Sequence, residues 1–464
     1  MLCSATRVEP PSDIPYADHS HLQKPVPVTS HLPLSRRTFL ATTAASAALG
    51  VLLNSVNAAQ GADSSPKIGE TDHFWYRLAS SGPTIDSQRD YKAFGFNQGQ
   101  VFLSEDNAQT WAHSAAFADA AHITFSCILK NGNILFATRE KLFLSRDNLK
   151  TIQPIVVKNQ DGSEYLPHTP HTPDHPGWYF NPLDGVHTWE IDGQEMLVWG
   201  NYCNVVGGPV PVNIYYSTDS GQTVKIAYAF GKNPDFQEKE TPPAAYLGNP
   251  NNPVTCRHIH AVAYNPSERA FYACTGDLDR GHGLECHWMR GRFDAPADSW
   301  DWQILVSVDA NSRYKSGGIH CVDGLIYWAA DANGPKLPDE KYDRGIFRCA
   351  PGDLDDPTKH TLLFNPEYEV ATMIIEDDVI LVGASDVSSK YTAGIAFSPD
   401  MGKTWTQYDL KELRRRSPFR FHPKNSDGWF RVDLRKNWID RAEVLFIKPK
   451  PEFQRENTRG CQSS

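Results

Sequence analysis

A chain of 464 residues with 40% hydrophobic and 22% charged side chains has enough apolar material for a large folded core, which excludes a disordered polymer or a polytopic membrane protein. Its formal charge of −10 argues against a nucleic-acid partner, which calls for a net basic field, yet leaves room for a locally basic cleft. The 12 Trp, 18 Tyr and 22 Phe are the supply expected of packed sheets or of clefts that stack on sugar rings.

The N-terminus reads as an address. Ser35-Arg36-Arg37-Thr38-Phe39-Leu40 has the form of a twin-arginine export signal, followed by an apolar stretch at 41–53. Val56-Asn57-Ala58 supplies a small-residue cleavage site. The stretch is short and alanine-rich for an anchor, since a span needs about 20 residues. The expectation is a periplasmic or extracellular protein with no transmembrane anchor once the signal is removed. It divides into a leader (1–59), a Gly/Ser/Pro linker (60–70), one domain (71–450) and a tail (451–464). The 9 cysteines sit singly, which does not read as a disulfide framework.

Beyond the linker the pattern is strand, turn, strand, with one short helix expected at 410–416. Strand candidates are short, rich in aromatic and β-branched residues, and punctuated by N-G, D-G and N-P turns. They group into four-stranded meanders at 74–117, 122–157, 186–230, 257–306, 317–364 and 370–410, then a final pair at 429–434 and 442–448. A Pro/His-rich insertion, YLPHTPHTPDHPGWYFNP, precedes the third meander.

Four octapeptides keep Ser, Asp and Thr in register: SEDNAQTW (104–111), SRDNLKTI (145–152), STDSGQTV (217–224) and SPDMGKTW (398–405). Each reads as a tight turn between antiparallel strands, with Asp106, Asp147, Asp219 and Asp400 accepting hydrogen bonds from turn N–H groups. Glycine at the fifth position admits positive φ, and the final aromatic buries its ring between sheets. The series resembles the Asp-box (BNR) repeat of the sialidase-like β-propellers. That resemblance implies an all-β propeller of four-stranded antiparallel blades, six or seven in number. Seven is favoured, with the termini sharing one blade. It also makes the four aspartates structural staples rather than catalytic groups.

In such a fold, strand order decides which loops share a face. Counting strands a to d outward, the d-to-a connections and b–c loops emerge on one face, the top. The a–b and c–d turns, octapeptides included, emerge on the other. Ligand groups in propellers converge at the top-face mouth of the axis. The fourth unit brings Arg257-His258-Ile259-His260 there, with Glu285-Cys286-His287 close by. Two histidines two apart on a strand share a side, and His258, His260, Cys286 and His287 together form a set suited to zinc. The same rule sends His187, His320, Tyr202 and Tyr314 to the top face as candidate catalytic groups, and Arg139, Arg257, Arg313 and Lys390 as substrate-binding groups. Arg77 joins the latter from the first unit. This is a kit for a carboxylate-bearing sugar, because arginine clamps a carboxylate through two parallel hydrogen bonds.

Three functions follow. Sialidases use an arginine triad, a Tyr–Glu nucleophile pair and an acid/base aspartate, with the first arginine in an F/Y-R-I-P motif. Tyr76-Arg77-Leu78-Ala79 matches that motif at its Tyr and Arg only. The chain also looks like the seven-bladed propeller polysaccharide lyases in general plan. There the carboxylate of a uronate is neutralised by Arg257 or Arg313, His187, His260 or His320 removes the α-proton, and Tyr202 or Tyr314 protonates the leaving oxygen. Lyase action on an acidic polysaccharide or glycoconjugate is slightly favoured over hydrolysis. The third reading is a propeller that only binds glycan or protein.

Overall fold

The computed structural model describes residues 68–79, 82–139, 141–165, 179–202, 211–231, 248–276, 284–308, 313–331, 344–366, 369–386, 392–410, 416–435 and 441–453. Seven sheets, one after another along the chain, form the ring of a seven-bladed β-propeller. Blades 1 to 6 occupy residues 84–116, 125–155, 187–229, 259–308, 316–364 and 369–409, each running outward from its innermost strand in chain order. Among the described residues the only helical elements are short 3-10 turns. The helix expected at 410–416 falls mostly outside the described residues.

Blade 7 is made from both ends of the domain. Ser417–His422 is innermost, Phe430–Arg435 and Arg441–Pro449 follow, and Phe74–Ala79 adds the fourth strand with Gly69–Glu70 beyond it. Six pairings, from Phe74↔Pro449 to Ala79↔Val444, close the ring. The termini therefore share one blade, as expected. Two assignments change with it. Phe74–Ala79 belongs to this closing blade rather than to the first unit. The closing pair also gains an inner strand that the sequence hides, because Ser417–His422 carries Pro418, Arg420 and His422 where an apolar run would announce a strand.

Each blade is covered on both faces by its neighbours, so its first three strands are largely apolar, as in blade 2. Phe125–Ile128, Ile134–Ala137 and Leu142–Ser145 are buried at every position. Aromatic pairs bridge adjacent blades, with ring centroids 5.3 Å apart for Phe94–Phe136, 5.9 Å for Phe125–Trp199 and 5.5 Å for Trp288–Trp328. Such pairs add about 0.5–1.5 kcal/mol beyond the area they bury.

All four octapeptides join the third and fourth strands of their blades, in blades 1, 2, 3 and 6. In each, the amide of the seventh residue donates to the aspartate at 2.8 Å, and the amide of the fifth donates to the serine hydroxyl at 2.8–3.1 Å. Hydrogen bonds from Thr151 and Ser145 hold the Asp147 carboxyl below its ordinary pKa. The terminal rings staple neighbouring blades: Trp405 stacks on Phe364 of blade 5 at 4.6 Å, and Trp111 packs beside Val444 and Phe446 of blade 7.

The fourth and fifth positions are left-handed whether or not glycine is present. Ala108 has φ 62° and Leu149 φ 69°, beside Gly221 at 78° and Gly402 at 84°. An L-residue pays about 1–2 kcal/mol in that region, against about 0.5–1 kcal/mol for the greater unfolded freedom of glycine. Ala108→Gly is therefore expected to raise unfolding stability by about 0.5–1 kcal/mol. Gly402→Ala, whose Cβ would meet Leu363 Cδ1 at 3.0 Å, should lower it by about 1–2 kcal/mol. Urea unfolding of the two variants checks both signs, and a drop for Ala108→Gly would contradict the strain argument.

Candidate functional site

The inner strand of blade 4, Ile259–Asn265, starts with a β-bulge between Ile259 and Ala261, and such a bulge re-aims side chains. His258 and His260 emerge on one side, with their Nε2 atoms 3.1 Å apart. On its other edge, His260 Nδ1 lies 3.1 Å from the Ser316 carbonyl oxygen and 3.9 Å from Asp331 Oδ2. Lys315 Nζ reaches the same carboxylate oxygen at 3.5 Å. The Tyr202 ring stacks on His258 at 4.0 Å and meets His260 edge-on at 5.7 Å. His258, His260, Lys315 and Tyr202 are buried, while the Asp331 side chain keeps 24% of its surface open. The scaffold is backbone: Ile259 N–H donates to Asn201 O at 3.1 Å, Tyr202 N–H to Asn181 O at 2.6 Å, and Asp331 N–H to Lys315 O at 2.6 Å. Two imidazoles, an ammonium, a carboxylate and a phenol thus meet where blades 3, 4 and 5 adjoin.

The other sequence candidates lie elsewhere. His287, one residue from Cys286 on a strand and so on its opposite side, has Nδ1 2.9 Å from Ser307 Oγ and Nε2 3.0 Å from Thr255 O. Of the four residues expected around zinc, only the His258–His260 pair is brought together. Among the described residues no group of three or more His, Cys, Asp or Glu is placed to hold a metal. Tyr314 is buried with its hydroxyl donating to Leu354 O at 2.8 Å, and burial pushes the phenol up to about 12. Arg313 donates to Pro357 O at 3.0 Å and lies over the Phe347 ring at 5.0 Å. Arg77 sits on the fourth strand of blade 7, its guanidinium 4.4 Å from the Phe446 ring centroid. Arg139 offers its carbonyl to Tyr179 N–H at 3.3 Å, and Arg257 immediately precedes the histidine pair. Lys390 lies outside the described residues.

Asp331 was not singled out from the sequence as a site group, and it had a signal. It follows the second strand of blade 5, at the top edge by the same rule that located Tyr202.

A second polar group occupies the centre of the ring. The connection into blade 3 crosses the axis: Arg420, from the inner strand of blade 7, donates to Leu183 O at 3.0 Å and to Pro182 O at 2.6 Å. Blades 3 and 7 are not neighbours in the ring, so this contact spans its middle. Asp184 accepts from the Val262 amide of blade 4 and lies 3.8 Å from His187 Nε2. Burial raises the Asp184 carboxyl to about 8 despite Arg420. Burial also lowers His187 to about 4, helped by His320, and lowers His320 to about 4. His320 Nε2 is 3.1 Å from the Met373 carbonyl oxygen. Farther round, Asp433 lies 3.0 Å from His422 Nε2 and 3.4 Å from Arg431 NH1. Burial opposes the charge on Asp433, but Arg431, His422 and Arg420 outweigh it and hold the carboxyl at about 2. Burial lowers His422 to about 3.

No family model matches this chain, and no curated protein matches it. Solved structures with a similar backbone include a prolyl endopeptidase (10% identity, TM-score 0.43, covering 77% of this chain and 46% of that one). They also include the extracellular domain of BT4673 from B. thetaiotaomicron (10%, 0.44, 82% and 46%). A third is PorZ, a surface component of the type-IX secretion system of Porphyromonas gingivalis (9%, 0.40, 81% and 39%). The chain spans less than half the length of these three. No helix among the described residues is long and apolar enough to cross a membrane.

The central groups set the pH dependence of stability. The three histidines bind protons in the unfolded chain, near 6.5, that the folded chain takes up only at about 3–4, so stability falls as pH drops below about 6.5. Asp184 acts in the opposite sense: it keeps its proton in the folded state up to about 8 and loses it near 3.8 when unfolded, so its contribution declines as pH rises through that window. Below about 6.5 three histidines outweigh one carboxyl; above it Asp184 acts alone. Denaturant midpoints measured from pH 4 to 9 should therefore peak between about 6 and 7. Asp184→Asn should remove the alkaline decline and leave the acid limb in place. A decline unchanged in Asp184→Asn would refute the assignment.

Proposed function

We propose that this propeller is an exported carbohydrate-active protein that cleaves uronate-bearing glycans by β-elimination in the cluster shared by blades 3, 4 and 5. The observation that carries this reading is the convergence of the His258–His260 pair, Lys315, Asp331 and Tyr202 within contact of one another. Elimination needs three things, and the cluster holds a group for each. Lys315, 3.5 Å from Asp331, meets the uronate carboxylate and makes the neighbouring proton acidic. An imidazole, whose unperturbed pKa of about 6.5 suits proton removal at neutral pH, takes that proton. The electron pair released forms the carbon–carbon double bond as the bond to the leaving sugar oxygen breaks, and the Tyr202 phenol gives that oxygen its proton. The twin-arginine sequence supplies the export route in this reading. Sialoside hydrolysis is less favoured, because Arg77, the residue matched to the arginine motif, packs over Phe446 and Trp429 on the outer part of blade 7.

The test is an absorbance assay of the mature protein on uronate polysaccharides, following the unsaturated product near ~235 nm, with a sialoside assay alongside. The expected result is a rising signal that His258→Ala or Tyr202→Phe lowers on the order of 10²–10⁴-fold. Silence on uronates with turnover of the sialoside would replace elimination by hydrolysis. Silence in both, with retained binding on a glycan panel, would make the molecule a lectin-like propeller.

A further inference from the structure

We propose that the cleft between the outer edges of blades 2 and 3 is a second sugar-binding site, which holds a uronate ring of an acidic glycan without cleaving it. The proposal rests on the acidic-glycan reading above for the class of its ligand, and on a different part of the ring for its structure.

The cleft exists because the chain leaves blade 2 by an uncommon path. From the outer strand Gln153–Ile155 it runs straight to the edge of blade 3, where Val157 and Lys158 pair with Val224 and Lys225. This is the one parallel pairing among the described residues. The octapeptide turns of blades 1 and 6 end in Trp111 and Trp405, whose rings pack against the blade before. The turn of blade 3 ends in Val224, and the gap to blade 2 holds a cavity of about 190 Å³. That is below the roughly 300–1,000 Å³ of sites for drug-sized ligands, and suits a single sugar ring.

The lining answers the groups of such a ring. Leu144, Ile155 and Val156 offer an apolar wall to its C–H face. Arg146 and Lys158 also line the cleft; both are exposed, and neither has an ion pair among the described residues. A carboxylate seated there meets two cations and no charge of its own sign, because no Asp or Glu lines the cleft. Asp147, next to Arg146 in the chain, faces its own turn, where the Thr151 amide and hydroxyl each take one of its oxygens.

Thr223 supplies a partner for a sugar hydroxyl. In the other three turns the threonine hydroxyl donates to the turn aspartate, at 2.5–2.8 Å for Thr110, Thr151 and Thr404. In blade 3 only the Thr223 amide does so, at 2.8 Å, and the Thr223 hydroxyl has no partner among the described residues. It lines the cleft instead, with one donor and two lone pairs to offer. The lining has no imidazole, carboxyl or phenol to move a proton, so the site binds and does not react. A long glycan held here stays tethered to the protein while its other stretches visit the histidine cluster.

The experiment is methyl NMR on the full mature chain labelled at isoleucine, leucine, valine and threonine. Leu144, Ile155, Val156 and Thr223 report the cleft, and Ile259, between the two histidines, reports the cluster. The probes are galacturonate, glucuronate, galactose and inorganic sulfate. The uronates should shift the cleft methyls saturably, with galactose and sulfate each binding there at least about tenfold more weakly. Arg146→Ala and Lys158→Ala should each weaken uronate binding at the cleft by about three- to tenfold, and Thr223→Val by about two- to threefold, with the Ile259 response unchanged. Sulfate binding as tightly as either uronate would make the cleft a bare anion site and overturn the proposal. So would cleft methyls whose response survives both cation variants. Cleft methyls that stay still while Ile259 moves and a uronate polymer is cleaved would remove the second site and leave elimination standing. Cleft methyls that move while Ile259 stays still and no polymer is cleaved would uphold the second site and sink elimination in the cluster.

Discussion

The inner and second strands of blade 7 bury charged side chains at the middle of the ring. Arg420, Arg431 and Asp433 are each at most 2% exposed, and burying such groups singly would cost several kcal/mol apiece. The ring resolves this by mutual pairing and by backbone. Asp433 stands between Arg431, Arg420 and His422, Arg431 donates to the Ile85 carbonyl of blade 1 at 2.7 Å, and Arg420 donates across the axis to the connection into blade 3. Removing one partner leaves an uncompensated charge in a dry place, so these groups stand or fall together. Blade 7, which holds all four of them, is also the blade that closes the ring with the N-terminal strand.

The same connection links the centre to the candidate site. After giving its carbonyls to Arg420 and its Asp184 carboxyl to the Val262 amide, it leads into blade 3. Its Asn181 carbonyl takes the Tyr202 amide, and Tyr202 is the ring that stacks on His258. Position in the cluster is thus inherited from the hub through the Arg420 side chain, the connection it holds and the Asn181–Tyr202 backbone hydrogen bond. The octapeptide turns stand at the other ends of the blades, where they fix the third and fourth strands and staple neighbouring sheets.

Much of this was legible in the chain. Ser, Asp and Thr in register announced the turns, and the turns announced the blades, because an Asx closure needs the same few atoms wherever it recurs. Strand parity located His258 and His260 on one side. The same parity argues that Cys286 and His287 point apart, a signal available in the sequence and outweighed there by their metal-ligand chemistry. The hub was not legible. Arg420 and His422 sit beside Pro418 in a segment that reads as polar loop, and only the ring tells that it is an inner strand. Asp184 follows a Pro/His-rich insertion, where nothing in the local pattern shows that the backbone turns inward. Arg77 looked like a substrate ligand from its Tyr-Arg pair, yet strand order places it four strands out from the axis, between aromatic rings.

The central claim is that the chemistry of this propeller lies in the cluster shared by blades 3, 4 and 5. A crystal structure of the His258→Gln protein soaked with a uronate oligosaccharide tests it most directly. The account predicts a sugar carboxylate against Lys315, with its ring seated between Tyr202 and residue 258. A uronate found only on the outer edges of the blades, or in the axial lumen among Asp184, His187 and His320, would contradict it.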